Sequence, residues 1–337
     1  MSEAYLEVTR SGAGNSVQDR GRYGLRRYGV NVSGPMDWVS HALALRLADA
    51  PADGPAFEIG PMGMEVEARR APVLLGVAGP GTGGVRTGAD GARTVLPAPF
   101  RLVLSPGERL LVRAGAVGNW SYLATAGLDV GRKVMRAHAT NLRTGLGPHP
   151  PQAGGGYACA AAADARGHAA FLDPLMGAET EGGDETLVRV LPGPQWHLFE
   201  PDVRERLAGA HYEVTNRRDR MGMALDGPPL PCAAGHDIVS DAMVEGAMQI
   251  PGDGRPLVLC ADRAPTGGYP KLAIVARASL PLLTQARTGE RVRFAWTDVA
   301  EAQARSQALR QAIERPLPRG RAPLSADFLR AFAADLR

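Results

Sequence analysis

Lysine is nearly missing from this sequence: Lys133 and Lys271 are the only two, and the other 36 of its 38 basic residues are arginine. A GC-rich coding bias accounts for the excess of arginine, and against that background a retained lysine is a candidate functional group. Cysteine is scarce as well. Cys159, Cys232 and Cys260 are odd in number and far apart, which excludes a disulfide framework or a zinc pattern and makes a reducing cytoplasm the expected compartment. Aromatic residues are 5% of the chain, and no stretch interleaves them with clustered bases, so nucleic-acid binding has no support. Apolar runs stay well short of the roughly 18 residues a membrane-spanning helix needs. The N-terminus, MSEAYLEVTRSGAGNSVQD, lacks a basic segment followed by an apolar one, so neither membrane association nor a secretory signal is expected. The patterns HEXXH, GXSXG and CXXC are absent, and the seven histidines show no metal-ligand spacing, so no metal site is expected.

What is present is a chain of 337 residues, 45% hydrophobic and 22% charged, with a net charge of +3. That is long enough for two domains and apolar enough for a real core. Its 42 glycines and 27 prolines are spread throughout rather than pooled in a linker. Between them recur short β-type runs: AYLEVTR, PVLLGVAG, FRLVLS, ERLLVRAG, WSYLATAG, TLVRVLPG, HYEVT, RPLVLCA, LAIVARA and RVRFAW. Many short strands with few helices between them predict an all-β barrel or sandwich rather than a βαβ sheet. Helices are exceptions. Asp37 stands as N-cap before WVSHALALRLADA, and Asp298 with Glu301 has capping-box spacing before AQARSQALRQAIE. A proline-rich break then precedes a last short helix, SADFLRAFAADLR. The loop-rich zone from His168 to Glu185 suggests domains at 1–180 and 181–297, with a helical extension at 298–337.

Four polar, glycine-bearing segments are candidates for a ligand site. Ser16 to Asp37, SVQDRGRYGLRRYGVNVSGPMD, sets Gln18, Asp19, Arg20 and Arg22 around a glycine turn and ends in a helix start. Arginine forks bind carboxylates and phosphates in bidentate fashion, and a helix start offers free N–H groups. RRDRMGMAL places three arginines about Asp219, and IVSDAMVEGAMQIPGDGRP offers Ser240, Asp241, Glu245 and Gln249. The fourth, ADRAPTGGYPKLA, carries Asp262, Arg263, Gly267, Gly268 and Lys271. It is not a Walker loop, because Pro270 precedes the lysine and the continuation reads as a strand. Each segment also reads as a charged turn with no ligand at all.

Taken in order, SVQDRGRYGLRRYGVNVSGPMD, AFEIGPMGMEVE, TNLRTGLG, VRVLPGPQWHLF, RDRMGMAL, SDAMVEGAMQIPGDGRPLVL and DRAPTGGYPKLAIVARASLPLLTQARTGERVRF resemble the family of 5-oxoprolinase C-subunits. That family is also labelled allophanate hydrolase subunit 2 or biotin-dependent carboxyltransferase domain. The resemblance runs from Val17 to Phe294. It implies a mainly β fold of two cyclophilin-like β-barrel domains with a few helices. It also implies partners, the B- and A-subunits of 5-oxoprolinase, with which ATP-dependent opening of 5-oxoproline to glutamate takes place. Two alternatives follow from other members: a carboxyltransferase of the urea carboxylase type using biotin on a separate carrier, and a non-enzymatic regulator that antagonises a histidine-kinase inhibitor. Homo-oligomers are compatible with each.

By the same resemblance, Asp262, Lys271 and Asp19 are the candidate catalytic residues. Gln18, Arg20, Gly34, Pro35, Met36, Asp219, Arg220, Ser240, Asp241, Gln249, Arg263, Thr266, Gly267, Gly268 and Tyr269 are the candidate ligand-binding set. The sequence departs from the family pattern at Ala137-His138-Ala139-Thr140, where S-R-S-T is frequent. It departs again at Ala264 and Pro265, where Gln and Thr are common.

Overall fold

The computed structural model describes residues 4–113, 118–163, 170–171 and 186–315. The chain divides into two compact units that exchange segments: Met1–Arg22, Asp37–Leu175 and Leu309–Arg337 form the first, Tyr23–Met36 and Met176–Ala308 the second. The boundary expected near residue 180 and the short helix expected at 325–337 lie outside the described residues.

The first unit is built on two six-stranded sheets. One runs β11 (Gly156–Cys159), β1 (Ala4–Ser11), β4 (Met64–Arg69), β9 (Arg109–Arg113), β6 (Gly83–Thr87), β7 (Arg93–Pro97). The other runs β12 (Ala170–Phe171), β8 (Phe100–Leu104), β5 (Val73–Ala78), β10 (Ser121–Thr125), β3 (Ala56–Ile59), β2 (Ser16–Gln18). Period-2 alternation sets which face is buried. In β1, Ala4, Leu6 and Val8 are fully buried while their neighbours are half-buried. Antiparallel pairing sets Leu6 opposite Ala68 and Val8 opposite Val66. These residues share one core with Phe57, Leu75, Phe100 and Leu123 of the other sheet.

Helix α1 (Trp38–Leu47) covers that second sheet and buries seven of its residues. Asp37 caps it as expected, accepting from the N–H groups of Val39 and Ser40 at 2.9 Å each. The Asp37 N–H donates to the Tyr122 hydroxyl at 2.8 Å, and that hydroxyl donates to Glu58 Oε2 at 2.7 Å. Burial, ahead of the Glu58 and Asp37 charges, raises the Tyr122 hydroxyl well above its ordinary pKa. The helix lies close on the sheet because residue 76 is glycine: a Cβ there would sit 2.2 Å from the Ala44 carbonyl oxygen and 2.8 Å from Leu47 Cβ.

The second unit is a closed barrel in the order β13 (Thr186–Pro192), β20 (Lys271–Val275), β17 (Ala247–Gln249), β18 (Leu257–Leu259), β15 (Gly222–Asp226), β14 (His211–Arg218), β21 (Arg291–Trp296). Parallel pairing of β13 with β21 closes the ring, and closure leaves no free sheet edge. Val188, Val190, Tyr212, Val214, Met248, Leu272 and Phe294 are among its buried residues. Outside the ring lies a two-stranded ribbon of β16 (Asp241–Ala242) and β19 (Thr266–Gly267). Helices α2 (Pro201–Gly209), α3 (Leu280–Gln285) and α4 (Val299–Glu314), with short 3-10 turns at Arg26–Tyr28 and Trp196–Leu198, complete the described elements. At the start of α4 the Glu301 N–H donates to Asp298 Oδ1 at 2.8 Å, half of the expected capping box. The Glu301 carboxylate instead accepts from the Thr297 hydroxyl at 2.6 Å and Arg305 Nε at 3.0 Å.

The expected mainly β architecture with few helices is what the structure shows; the helices starting after Asp37 and Asp298 are where the sequence places them, while α2 and α3 were not expected.

Candidate functional site

Lys271 opens β20, and its side chain is only 1% exposed. A lysine that deep needs an acceptor for its head group. Nζ donates to Asp241 Oδ2 at 2.8 Å, while Asp241 itself stays half open to solvent. The Lys271 backbone N–H donates to Gln195 Oε1 at 3.2 Å, and the Gln195 side chain also hydrogen-bonds Asp241. The hydrogen bond from Lys271, followed by that from the Ala242 N–H, holds the Asp241 carboxyl below the usual carboxylate range.

The loop that carries Lys271 is stitched along its length to the segments on either side of β17. Asp241 pairs with Gly267 and Ala242 with Thr266. Ile238 N–H donates to Gly268 at 2.7 Å, Met243 to Pro265 at 3.0 Å and Ile250 to Pro270 at 3.0 Å. At Gly267 a Cβ would lie 2.5 Å from Met243 Cε and 2.9 Å from Gln249 Nε2, so those side-chain ends pack directly on the loop backbone. Gln249 is buried and stands opposite Lys271 in the β17–β20 register. Ser240, Thr266 and Tyr269 are exposed around this cluster.

A second cluster in the same unit centres on Asp262 and Arg220. Arg220 Nε and Nη2 donate to the two Asp262 oxygens at 2.9 and 3.2 Å, with side chains 7% and 4% exposed. The Asp262 N–H donates to the Arg220 carbonyl at 2.7 Å. Arg220 Nη2 also donates to the Gly34 carbonyl at 2.6 Å. That contact belongs to the segment Tyr23–Met36, in which Ser33 and Gly34 have φ of 58° and 97°. Asn31 Nδ2 donates to the carbonyls of Asp262 at 2.6 Å and Arg263 at 3.0 Å. Arg26 donates to the carbonyls of Met243 and Pro265. The Thr284 hydroxyl donates to the Met36 carbonyl at 2.8 Å, and Pro35 is half-buried between these anchors. Arg263 is 8% exposed and donates through Nη1 to the carbonyls of Cys260 at 3.1 Å and Ala261 at 3.4 Å. Asp219 is exposed and closes its own turn, accepting from the N–H groups of Met221 at 2.7 Å and Gly222 at 3.1 Å.

Gln18, Asp19 and Arg20 form a third group, within the first unit. Gln18 is fully buried and donates to the Ser16 hydroxyl and the Thr140 carbonyl, both at 2.9 Å. The two Asp19 oxygens accept from the N–H groups of Gly21 at 2.9 Å and His138 at 2.6 Å. Burial lowers the His138 pKa from its ordinary value, ahead of the opposing pull of Asp19. Arg20 is exposed, with Nε donating to the Ala52 carbonyl at 3.2 Å. A cavity of about 300 Å³ in this unit, lined by residues such as Asn15, Leu142 and Pro151, contains none of the candidate residues.

Sequence reasoning leaves Gln195 out of the candidate set. Its signal is the segment VRVLPGPQWHLF, in which no residue looks reactive. Glu245 stands beside its glycine in the sequence but outside the candidate set. Burial, the largest influence on it, raises its pKa from the ordinary value against the pull of Arg263, Arg277 and Arg220. Among the described residues no group of histidines, cysteines and carboxylates is arranged to hold a metal ion. No helix among them is long and apolar enough to cross a membrane.

The loops of the closed barrel thus carry a buried lysine on a half-open carboxylate and a buried arginine–aspartate pair. The chain belongs to the family described as carboxyltransferase domain, subdomain A and B, whose model matches residues 28–296. It is 29% identical over 304 residues to the 5-oxoprolinase C-subunit of Escherichia coli, covering 88% of this chain and 93% of that protein. The Haemophilus influenzae protein of the same name is 26% identical over 85% of this chain and 89% of its own length. The urea amidolyase of Lachancea kluyveri is 25% identical over 86% of this chain, which corresponds to 17% of that protein. Among solved structures, TTHA0988 superposes with a TM-score of 0.74 at 32% identity, over 87% of this chain and 56% of that one. The urea amidolyase of K. lactis superposes with a TM-score of 0.80 at 23% identity, over 97% of this chain and 21% of that one, a likeness of fold. The chain therefore spans about half of the first of these solved chains and a fifth of the second.

Proposed function

We propose that this chain is the C-subunit of an ATP-dependent 5-oxoprolinase assembly, acting with the A- and B-subunits in the cytoplasm to open 5-oxoproline to glutamate. The supporting observation is the end-to-end match with a free-standing protein: 93% of the E. coli 5-oxoprolinase C-subunit is covered, against 17% of urea amidolyase.

The lactam is a poor electrophile, so the assembly must activate its amide oxygen, bind the carboxylate and steady the negative charge that develops. On this chain Lys271 and Arg263 supply positive charge from elements fixed on the barrel, and Asp241 with Gln195 sets the direction of the Lys271 head group. Asp262 has both oxygens on Arg220, so its first task in this reading is to hold that guanidinium in place. Asp19 is bonded in the same way to two backbone N–H groups, which assigns it to shaping the loops around Gly21 and His138. Gly34 and the Thr266–Tyr269 loop shape the surroundings of these groups. Residues here do not fit an ATP phosphate cradle: Gly267 and Gly268 lead into strand β20, not a helix N-terminus, and Lys271 Nζ is already engaged by Asp241. In this reading nucleotide binding belongs to the partner proteins of the assembly.

A second reading, a biotin-dependent carboxyltransferase, is favoured by the description of the family and by the urea amidolyase relative. It would need a separate biotin carrier, since Lys133 in GRKVM and Lys271 in YPKLA do not have the Met-Lys-Met setting of a biotinylated lysine. The deciding experiment is ATP-dependent release of glutamate from 5-oxoproline by the reconstituted assembly, with each of its three proteins omitted in turn. Release only from the full mixture supports the first reading. A verified, folded assembly that releases none rejects it in favour of biotin-dependent carboxylation or of a regulator that sequesters its partner.

A further inference from the structure

Two buried polar groups of the barrel carry hydrogen-bonding capacity that the described residues do not use. The first is the Lys271 ammonium, on a side chain 1% exposed. An ammonium has three N–H donors, and among the described residues Asp241 Oδ2, at 2.8 Å, is its one acceptor. The second is Gln249, which is 6% exposed. Its amide offers two N–H donors and a carbonyl acceptor, and among the described residues it makes no hydrogen bond. Neither amide atom belongs to the sealed polar atoms that lack a partner, so the amide keeps contact with solvent.

The two groups meet on one face of the sheet. Gln249 in β17 stands opposite Lys271 in β20, next to the register shift between Met248 and Gln249. Directly opposed residues of an antiparallel pair project to the same side, with Cβ atoms about 4.5–5.5 Å apart. The loop closes the arrangement from a third direction. Gln249 Nε2 packs on Gly267, 2.9 Å from where a Cβ would lie. Gly267 pairs with Asp241, and Asp241 holds Lys271 Nζ. Amide and ammonium therefore converge beside the same two residues. Buried donors are ordinarily matched by acceptors, and the carboxylate at hand is already engaged, with Oδ2 on Lys271 and Oδ1 on the Ala242 N–H at 2.7 Å.

The donor count and the charge together define a ligand. Two N–H groups of Lys271 and two of Gln249 stand against one carbonyl acceptor, so the place favours a molecule rich in acceptors. Asp241 balances Lys271, so a single negative charge is tolerated among these donors while a second is repelled by Asp241. A planar monoanion with one oxygen on Lys271 Nζ and the other on Gln249 Nε2 meets both conditions. We propose that Lys271 and Gln249 form a binding site for a carboxylate-type monoanion, with Gln249 selecting it and Asp241 turning phosphate dianions away. The proposal rests on the functional reading above for the source of the anion, the carboxylate of 5-oxoproline. Bicarbonate is the other source of the same chemistry.

The test titrates the full chain, isotope-labelled at its glutamine side chains, with acetate, bicarbonate, 5-oxoproline and inorganic phosphate, at a mildly alkaline pH where phosphate is a dianion. Side-chain amide signals are followed by NMR, and affinities are measured by calorimetry on the chain and on the reconstituted assembly. Gln249→Met keeps the volume, identifies the Gln249 signal by its loss and is checked for folding by thermal denaturation. Asp241→Asn, at a half-open position, removes the charge and keeps an acceptor for Lys271. The expected result is a shift of the Gln249 signal with acetate and with 5-oxoproline and none with phosphate. Acetate affinity should weaken roughly ten- to a hundredfold in Gln249→Met, and Asp241→Asn should admit phosphate, which a merely structural aspartate would not control. Phosphate binding the wild type as tightly as acetate, equal acetate affinity in wild type and Gln249→Met, or no shift with any of the four anions would each overturn the site. Shifts with acetate and bicarbonate, and no 5-oxoproline binding by chain or assembly, would support the site and reject the functional reading that supplied its anion.

Discussion

Replacing Asp262 by alanine strands Arg220, and the cost follows from how completely the pair is enclosed. Both side chains are more than nine-tenths buried, and both Asp262 oxygens accept from the guanidinium, at 2.9 and 3.2 Å. Removing one partner of such a pair leaves an uncompensated charge in a poorly solvated place and typically costs about 3–5 kcal/mol. The double variant Asp262→Leu with Arg220→Met removes both charges and keeps apolar volume. Replacements of that kind are near neutral or stabilising by about 1–4 kcal/mol, although here the loss of the Arg220 bond to the Gly34 carbonyl subtracts from the gain. Urea denaturation followed by hydrogen exchange in β15 and β18 would read the barrel apart from the first unit. A loss below about 1 kcal/mol in Asp262→Ala, or a double variant less stable than the single one, would refute the assignment of Asp262 as counter-ion to Arg220.

Lys271→Met keeps the buried stem and removes the charge, so stability should change by less than about 1.5 kcal/mol while glutamate release by the assembly falls roughly a hundredfold; undiminished release would remove Lys271 from the site. Gly76→Ala should destabilise the first unit by about 1–3 kcal/mol or more, because its Cβ meets the backbone of α1; a melting temperature equal to wild type would show that the helix can move away. His41, buried with Nε2 3.0 Å from the Gln18 carbonyl, has its pKa lowered by burial from 6.5 to about 4. Between those values the unfolded chain binds a proton that the folded state refuses, so stability rises with pH across that window and is complete above it. Acidification through the window should cost roughly 3 kcal/mol, and His41→Gln should flatten that part of a denaturation series collected against pH.

The strands were legible because their burial follows period 2 or, in LVLC and LAIVA, an unbroken apolar run bounded by turn residues. The Asp37 cap was legible for a local reason: a cap and its first turn lie within four residues of one another. Pairing across long sequence separations was not. Nothing near Gln18 announces that its amide closes on Thr140, and nothing in PGPQW announces a hydrogen bond to Asp241. The candidate set took Gln18, Asp19 and Arg20 together with Lys271 and Asp262 from family resemblance alone, and none of the hydrogen-bond partners each has within its own unit was legible beforehand.

Because the unit that holds Lys271 takes in Tyr23–Met36 and then resumes at Met176, a gene divided at that later point would encode no self-sufficient half. The upstream product would carry off Asn31 and Gly34, which bond to Asp262 and Arg220, and the downstream product would be translated without them. Recombination can lengthen such a protein at its ends, but it cannot trade one unit for another. Inheritance therefore acts on the whole block.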